Sequence, residues 1–277
     1  MIHQEGQLRF LRRKQDAPGR RFRRGVYLLP SLFTMGNMFC GYACIVYATR
    51  GEFETAAPFI GIAIVLDMLD GRIARLTGAA SEFGVQFDSL ADIISFGIAP
   101  AILAFEWGLV PLGRLGWAAG FMFLAAAAMR LARFNIQSAS GGDKRYFVGM
   151  PSPAAAAIPA ATVYAYPWGF QDYRSALPVL AMVLVPAILM VSTIRFRSFK
   201  TFDLNSRRPY TVLLFIAAAI VLVTTHPRYV LVAMAYTYLA SAFIGQAITR
   251  FQHRGSHVTA TTAAPDETDR DRDSAAG

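Results

Sequence analysis

The stretch LDMLDGRIARLTGAASEFGVQFDSLADIISFG, residues 66–97, carries Asp67, Asp70, Asp88, Asp92, Arg72 and Arg75 in surroundings that are otherwise strongly apolar. On a helix, Asp67 and Asp70 stand three apart and Asp88 and Asp92 four apart, so each pair shares a face. Two helices joined by a short loop near residues 77–83 bring the pairs together. Carboxylates held that close repel one another and are driven neutral unless cations sit between them. Hard divalent ions such as Mg2+ or Mn2+ suit such a site, because they take oxygen ligands and retain waters. No His or Cys cluster points to zinc. Two such ions polarise phosphate oxygens and hold the charge of a leaving phosphate, so the chemistry to expect is phosphoryl transfer at a dimetal site.

Gly71 and Gly84 lie beside the carboxylates, where a missing side chain lets a phosphate or nucleotide approach the backbone. Close helix packing is the other reading of both. Arg75, near Gly71 on the same helix, offers a forked donor for a phosphate oxygen.

The elements that must position these residues are membrane helices. The 277 residues are 55% hydrophobic and 16% charged, with a positive mean hydropathy, and the apolar residues fall in runs of about 20. Eight spans are expected, at 28–48, 56–76, 84–106, 115–135, 151–168, 175–195, 209–225 and 228–250, in an all-α integral membrane protein. The first run is too long for a secretory signal core and reads as a retained span. Charged residues inside spans are costly and mark functional sites by default.

Lysine and arginine set the orientation. Residues 1–26 hold Arg9, Arg12, Arg13, Lys14, Arg20, Arg21, Arg23 and Arg24, the connection near 195–208 holds five more bases, and Lys144 and Arg145 follow span four. The opposite connections hold only Arg50, Arg114, Arg174 and Arg228. Both termini and the mouth bearing Arg72 and Arg75 are therefore expected to be cytoplasmic. The net charge of +9 is distributed as topology demands, which argues against a nucleic-acid partner.

Three regions follow: a basic segment at 1–26, a transmembrane catalytic domain at 27–250, and a polar tail at 251–277 expected to be disordered. The basic segment, interleaved with Phe10, Leu11 and Phe22, reads either as lying on anionic lipid or as a plain topology signal. Cys40 and Cys44, four apart in one apolar run, read as small packing residues. The four histidines have no metal-ligand spacing and receive no role.

The pattern D-x-x-D-G-x-x-A-R-x8-G-x-x-x-D-x-x-x-D, from Asp67 to Asp92, resembles the signature of the CDP-alcohol phosphatidyltransferases at every position. The resemblance implies an integral membrane enzyme with a six-helix core, here plus two helices. Such an enzyme transfers a phosphatidyl or related group from a CDP-linked donor to an alcohol, with divalent metal and release of CMP. By motif position it implies Asp67, Asp70 and Asp88 as metal ligands. Asp92 is implied as a further ligand that also serves as base for the acceptor hydroxyl. Gly71, Arg75 and Ser81 are implied as contacts to the CDP part of the donor. Family members often form homodimers, and the same is expected here.

The runs LLPSLFTMGNMFCG, FDSLADIISFGIAPA, RLARFN and FVGMPSPAAAA together resemble the bacterial-type phosphatidylserine synthase subgroup over residues 26–250. Ser31 departs from it, standing where asparagine is expected after the proline. This implies CDP-diacylglycerol as donor, L-serine as acceptor, membrane lipids as surroundings and a bacterial inner membrane as location. Asn37 reads either as a lining residue of the donor site or as a helix-to-helix contact. Serine is a zwitterion and needs a cation for its carboxylate; Arg133 is the first candidate and Arg130 the second, with interfacial anchoring as the other reading of each.

The motif holds no Cys or His nucleophile to suggest a covalent intermediate, so direct in-line attack is expected. Choline, glycerol 3-phosphate and inositol phosphate are the competing acceptors. A choline site favours aromatic walls and a phosphorylated acceptor a denser basic pocket. An ion or metal transporter using the aspartates is the alternative from another class, against which stands their placement toward one mouth.

Overall fold

The computed structural model describes residues 20–77, 81–139, 147–192, 195–196, 217, 221–222 and 224–241. Helix α1 (Arg20–Thr49) and helix α2 (Phe53–Thr77) form an antiparallel hairpin. The turn between them is a Schellman motif: Gly51 N donates to Ala48 O at 3.0 Å and Glu52 N to Tyr47 O at 3.0 Å. Gly51 sits at φ 76°, the left-handed conformation this ending requires. α2 delivers Asp67 and Asp70 from its C-terminal half.

Helix α3 (Glu82–Leu112) runs back through the bundle. Ser81 caps its start, its Oγ accepting from Gly84 N at 3.0 Å. Asp88 and Asp92 therefore enter within the first turns, opposite the end of α2. α3 is broken by two π-helical turns, Ile94–Ile98 and Phe105–Leu109, before ending in a 3-10 turn at Val110–Leu112. Such turns re-aim side chains within a helix. The first begins two residues after Asp92 and places Ser95 so that its Oγ donates to Asn37 O on α1 at 2.8 Å. Gly41 makes this approach feasible, since a Cβ there would lie 2.8 Å from Ser95 Cα. The second turn is fastened by Trp107, whose Nε1 donates to Tyr166 O at 2.7 Å and whose carbonyl accepts from Phe170 N at 2.8 Å.

Helix α4 (Arg114–Ala139) brings Arg130, Arg133 and Asn135 back to the mouth. Helix α5 (Ser152–Ala165) is short, alanine-rich and mostly buried. Helix α6 (Tyr173–Val191) returns to the mouth. A two-residue antiparallel ladder, β1 (Phe147–Val148) with β2 (Arg195–Phe196), ties the entry of α5 to the exit of α6. Gly149, just after β1 and at φ 87°, has no room for a side chain, because a Cβ would stand 2.4 Å from Met190 O. Helix α7 (227–241) meets α5, where Tyr236 Oη and Thr162 Oγ1 share a hydrogen bond of 3.2 Å. At its start Arg228 pairs with Glu54 and lies over the Tyr164 ring.

Among the described residues, four helical stretches are long and apolar enough to cross a membrane: Pro30–Thr49, Glu82–Leu112, Arg114–Gln137 and Tyr173–Val191. They coincide with the first, third, fourth and sixth expected spans. The second is long enough at roughly 37 Å, but it carries the site's charges in its C-terminal half. The fifth is corrected to a helix of 14 residues. At about 1.5 Å per residue it falls short of a 30 Å core, and Pro151 and the turn after Tyr166 stop it from lengthening. Most of the seventh span and the end of the eighth lie outside the described residues, as do residues 1–19, residues 242–277, Lys144 and Arg145.

The core is built on Phe96, Leu103, Phe123, Met150, Ile158 and Met190, with alanines between them that let helix backbones approach. Cys40 and Cys44 are free, buried and part of it. Leu32, Phe39, Tyr42, Trp117 and Phe121 are exposed on the outside. In a membrane protein these faces meet lipid.

Candidate active site

Asp67, Asp70 and Asp88 converge between the C-terminal half of α2 and the first turns of α3. Each offers an oxygen, and the three oxygens lie within 4.8 Å of one another. Asp70 is buried and accepts from Thr34 Oγ1 at 3.1 Å, which fixes its carboxylate from α1. The same hydroxyl lies 3.1 Å from Pro30 O. Asp88 Oδ1 is buried with no hydrogen-bond partner among the described residues. A buried carboxylate oxygen without a donor is costly, and a cation removes that cost. Three oxygen donors, one of them orphaned, fit a hard divalent ion.

Asp92 is not part of this triangle. Its Oδ1 accepts from Asn37 Nδ2 at 3.4 Å, and Asn37 is fully buried. Arg130 approaches the acidic group from α4 and interacts electrostatically with Asp92 and Asp67, and with Tyr238 on α7. Its Nη1 donates to the buried Ser152 Oγ at 2.9 Å, while its Nε is buried without a partner among the described residues. Arg133 points elsewhere: its Nη1 donates to Val191 O at the end of α6, at 3.3 Å. The two arginines expected to serve one role thus face different neighbours. Asn135 links α4 to α3 through Ser89, Nδ2 to Oγ at 2.9 Å.

Around Gly71 the space is open, since the nearest atom to a Cβ there is Arg75 Nη2 at 3.8 Å. Close helix packing therefore does not explain this glycine. At Gly84 the only neighbour of a Cβ within 4 Å among the described residues is its own cap, Ser81 Oγ, at 3.1 Å. Arg75 folds back along α2, Nε donating to Gly71 O at 2.7 Å, and so lies over the open backbone. Ser81 has its hydroxyl oxygen engaged as the α3 cap.

Sequence reasoning passed over Thr34, Ser152 and Tyr238. Thr34 and Asn37 stand three apart in an apolar helix and so share a face, a signal available from spacing alone. Ser152 lies within the quoted PSP run, yet nothing in its spacing points to Arg130. Tyr238 carries no local signal, because only the docking of α7 brings it near Arg130.

The chain is similar to a CDP-diacylglycerol–serine O-phosphatidyltransferase of Helicobacter pylori, 39% identical over 197 residues that cover 71% of this chain and 83% of that protein. One of the same name from Bacillus subtilis is 31% identical over 174 residues, 62% of this chain and 91% of the relative. An archaetidylserine synthase of Methanothermobacter thermautotrophicus is 35% identical over 170 residues, 61% of this chain and 69% of the relative. The CDP-alcohol phosphatidyltransferase family model matches residues 27–194, a range that holds the three-carboxylate triangle, Asp92, Asn37 and Arg130, and the chain belongs to that family.

Proposed function

We propose that this protein transfers the phosphatidyl group of CDP-diacylglycerol to the hydroxyl of L-serine, giving phosphatidylserine and CMP. The observation that carries the reading is the group of three carboxylates with its orphaned Asp88 oxygen, beside a fourth, Asp92, that lies outside the group, accepts from Asn37 and interacts electrostatically with Arg130. A carboxylate so placed is free to work as a base while its neighbours hold cations. The names of the relatives support serine as acceptor.

Divalent ions, two of Mg2+ or Mn2+, would be held by Asp67, Asp70 and Asp88, and would supply positive charge that polarises the phosphate oxygens. Gly71 leaves room for the donor's phosphates over the α2 backbone, and Arg75 stands above it to pair with a phosphate oxygen. Ser81 borders the same donor site. Arg130 is the better partner for the serine carboxylate, because it faces the acidic group whereas Arg133 is engaged at the end of α6. Asp92 takes the proton of the serine hydroxyl. The serine oxygen then bonds to the phosphorus bearing the diacylglycerol, and the bond from that phosphorus to the oxygen of CMP breaks.

The membrane arrangement proposed is a helical membrane domain across residues 27–250, in which α5 is too short to span by itself, with the site and both termini cytoplasmic, in a bacterial inner membrane. The basic connections support it, and so does the position of Asp88 and Asp92 within the first turns of α3, which also disfavours a transport site midway along that helix. A homodimer is the proposed assembly.

The test uses purified protein in detergent with CDP-diacylglycerol and Mg2+ or Mn2+. CMP release is scored with serine, choline, glycerol 3-phosphate or inositol phosphate supplied separately. Release that requires serine supports the reading. Release driven by another alcohol keeps the chemistry and replaces the acceptor, and no release with any of them removes the enzymatic reading.

A further inference from the structure

Two buried atoms beside Asp92 have no hydrogen-bond partner among the described residues, and they are of opposite kinds: Arg130 Nε is a donor and Asn37 Oδ1 an acceptor. Asn37 is fully buried and its orientation is held at both ends. Its Nδ2 faces Asp92 Oδ1 at 3.4 Å, and its backbone carbonyl accepts from Ser95 Oγ at 2.8 Å. Turning the amide over would set one oxygen against the other at Asp92, so the free oxygen is directed to a different neighbour. Rotation of α1 does not relieve it either, because Gly41 is already against the Ser95 backbone. Leaving a buried amide oxygen unsatisfied is costly. A fold that keeps one next to its proposed base has a use for it.

Resting on the serine reading above, we propose that Asn37 Oδ1 accepts a hydrogen bond from the ammonium group of the acceptor, which makes Asn37 the residue that selects an amino alcohol. The acceptor is then held at three points: carboxylate at Arg130, ammonium at Asn37 Oδ1 and hydroxyl at Asp92. A neutral amide suits the ammonium in this setting. A further carboxylate would add to the repulsion among Asp67, Asp70, Asp88 and Asp92 and would compete with them for metal. One amide thereby orients the base through its nitrogen and reads the amine through its oxygen.

The two ends of the amide are separable. Asn37→Asp keeps an oxygen for the ammonium and removes the donor to Asp92, whereas Asn37→Leu removes both. The readout is competition against serine in the CMP-release assay by L-alanine, which has the ammonium and carboxylate but no hydroxyl, and by propionate, which lacks the amine. With Asn37→Leu, the serine KM and the alanine inhibition constant are expected to rise tenfold or more, with the propionate constant and the CDP-diacylglycerol KM unchanged. At saturating metal, which offsets the added negative charge, Asn37→Asp is expected to keep alanine inhibition within about threefold of the unsubstituted protein while kcat falls. Asn37→Ala replaces the leucine variant if that one does not elute as folded protein. Alanine inhibition unmoved by Asn37→Leu or Asn37→Ala overturns the proposal and leaves Asn37 as a support for Asp92 only. A rise in the donor KM instead overturns it by assigning the oxygen to the nucleotide. Failure of the unsubstituted protein to turn over serine is a separate result, which removes the serine reading itself.

Discussion

Asn37 on α1 and Asp92 on α3 are joined side chain to side chain, Nδ2 to Oδ1 at 3.4 Å, while Ser95 just beyond Asp92 donates back to the Asn37 carbonyl at 2.8 Å. The two helices thus hold the fourth carboxylate away from the triangle made by Asp67, Asp70 and Asp88. Division of labour among four chemically identical side chains follows from that geometry.

If Asp92 is the base, its loss removes proton transfer and leaves the three-oxygen group in place. Asp92→Asn is expected to lower kcat by about 10²- to 10⁴-fold with the CDP-diacylglycerol KM little changed. Initial rates of CMP release measured against both substrates check this, and a main effect on donor KM would reassign the residue.

Asp88 has an orphaned oxygen in the metal triangle. Saturating Mn2+ at about 100 times its dissociation constant should stabilise the protein by roughly 2.7 kcal/mol through binding to the folded state alone. Asp88→Asn is expected to abolish that gain, and to leave the metal-free protein no less stable, since one of three repelling charges is gone. Thermal unfolding in detergent, with Mn2+ and with chelator, provides the comparison.

Gly71 and Gly41 are both helical glycines near the site, and they should fail in opposite ways. A methyl at Gly71 meets nothing closer than 3.8 Å among the described residues, so Gly71→Ala is expected to keep the melting temperature and raise the donor KM. A methyl at Gly41 would sit 2.8 Å from Ser95 Cα, which is backbone and cannot swing aside. Gly41→Ala should therefore cost about 1–3 kcal/mol, read as a lower melting temperature. Equal behaviour of the two variants would contradict this account.

Arg130 and Arg133 stand three apart yet face different neighbours. Arg130→Ala is expected to raise the serine KM by about 10- to 100-fold, the worth of a hydrogen bond to a charged group. Arg133→Ala should leave it within about threefold and act on stability, through the lost contact at the end of α6. Steady-state kinetics with serine as the varied substrate separates them, and the reverse pattern would move the carboxylate site to Arg133.

The carboxylates were legible because their signal is local. Asp67, Asp70, Asp88 and Asp92 repeat at helical spacing inside apolar runs, where charge is expensive enough to imply a use. Membrane helices were legible for the same reason, since a span must satisfy its backbone internally and be apolar over about 20 residues. The shortness of α5 was less visible, because its alanines and prolines continue an apolar composition past the point where Tyr166 ends the helix.

By itself, then, the sequence determined a helical membrane protein with a phosphoryl-transfer motif at one end of two helices, all of it written in composition and short-range spacing. Only the tertiary structure decided which carboxylate stands apart, which arginine faces it and which oxygen is left free. Thr34, Asn37 and Ser152 reach their partners from other helices, and Tyr238 approaches Arg130 only because α7 docks against α5. Such contacts depend on helix rotation and on the two π turns of α3, which packing sets among many residues at once and no local spacing encodes.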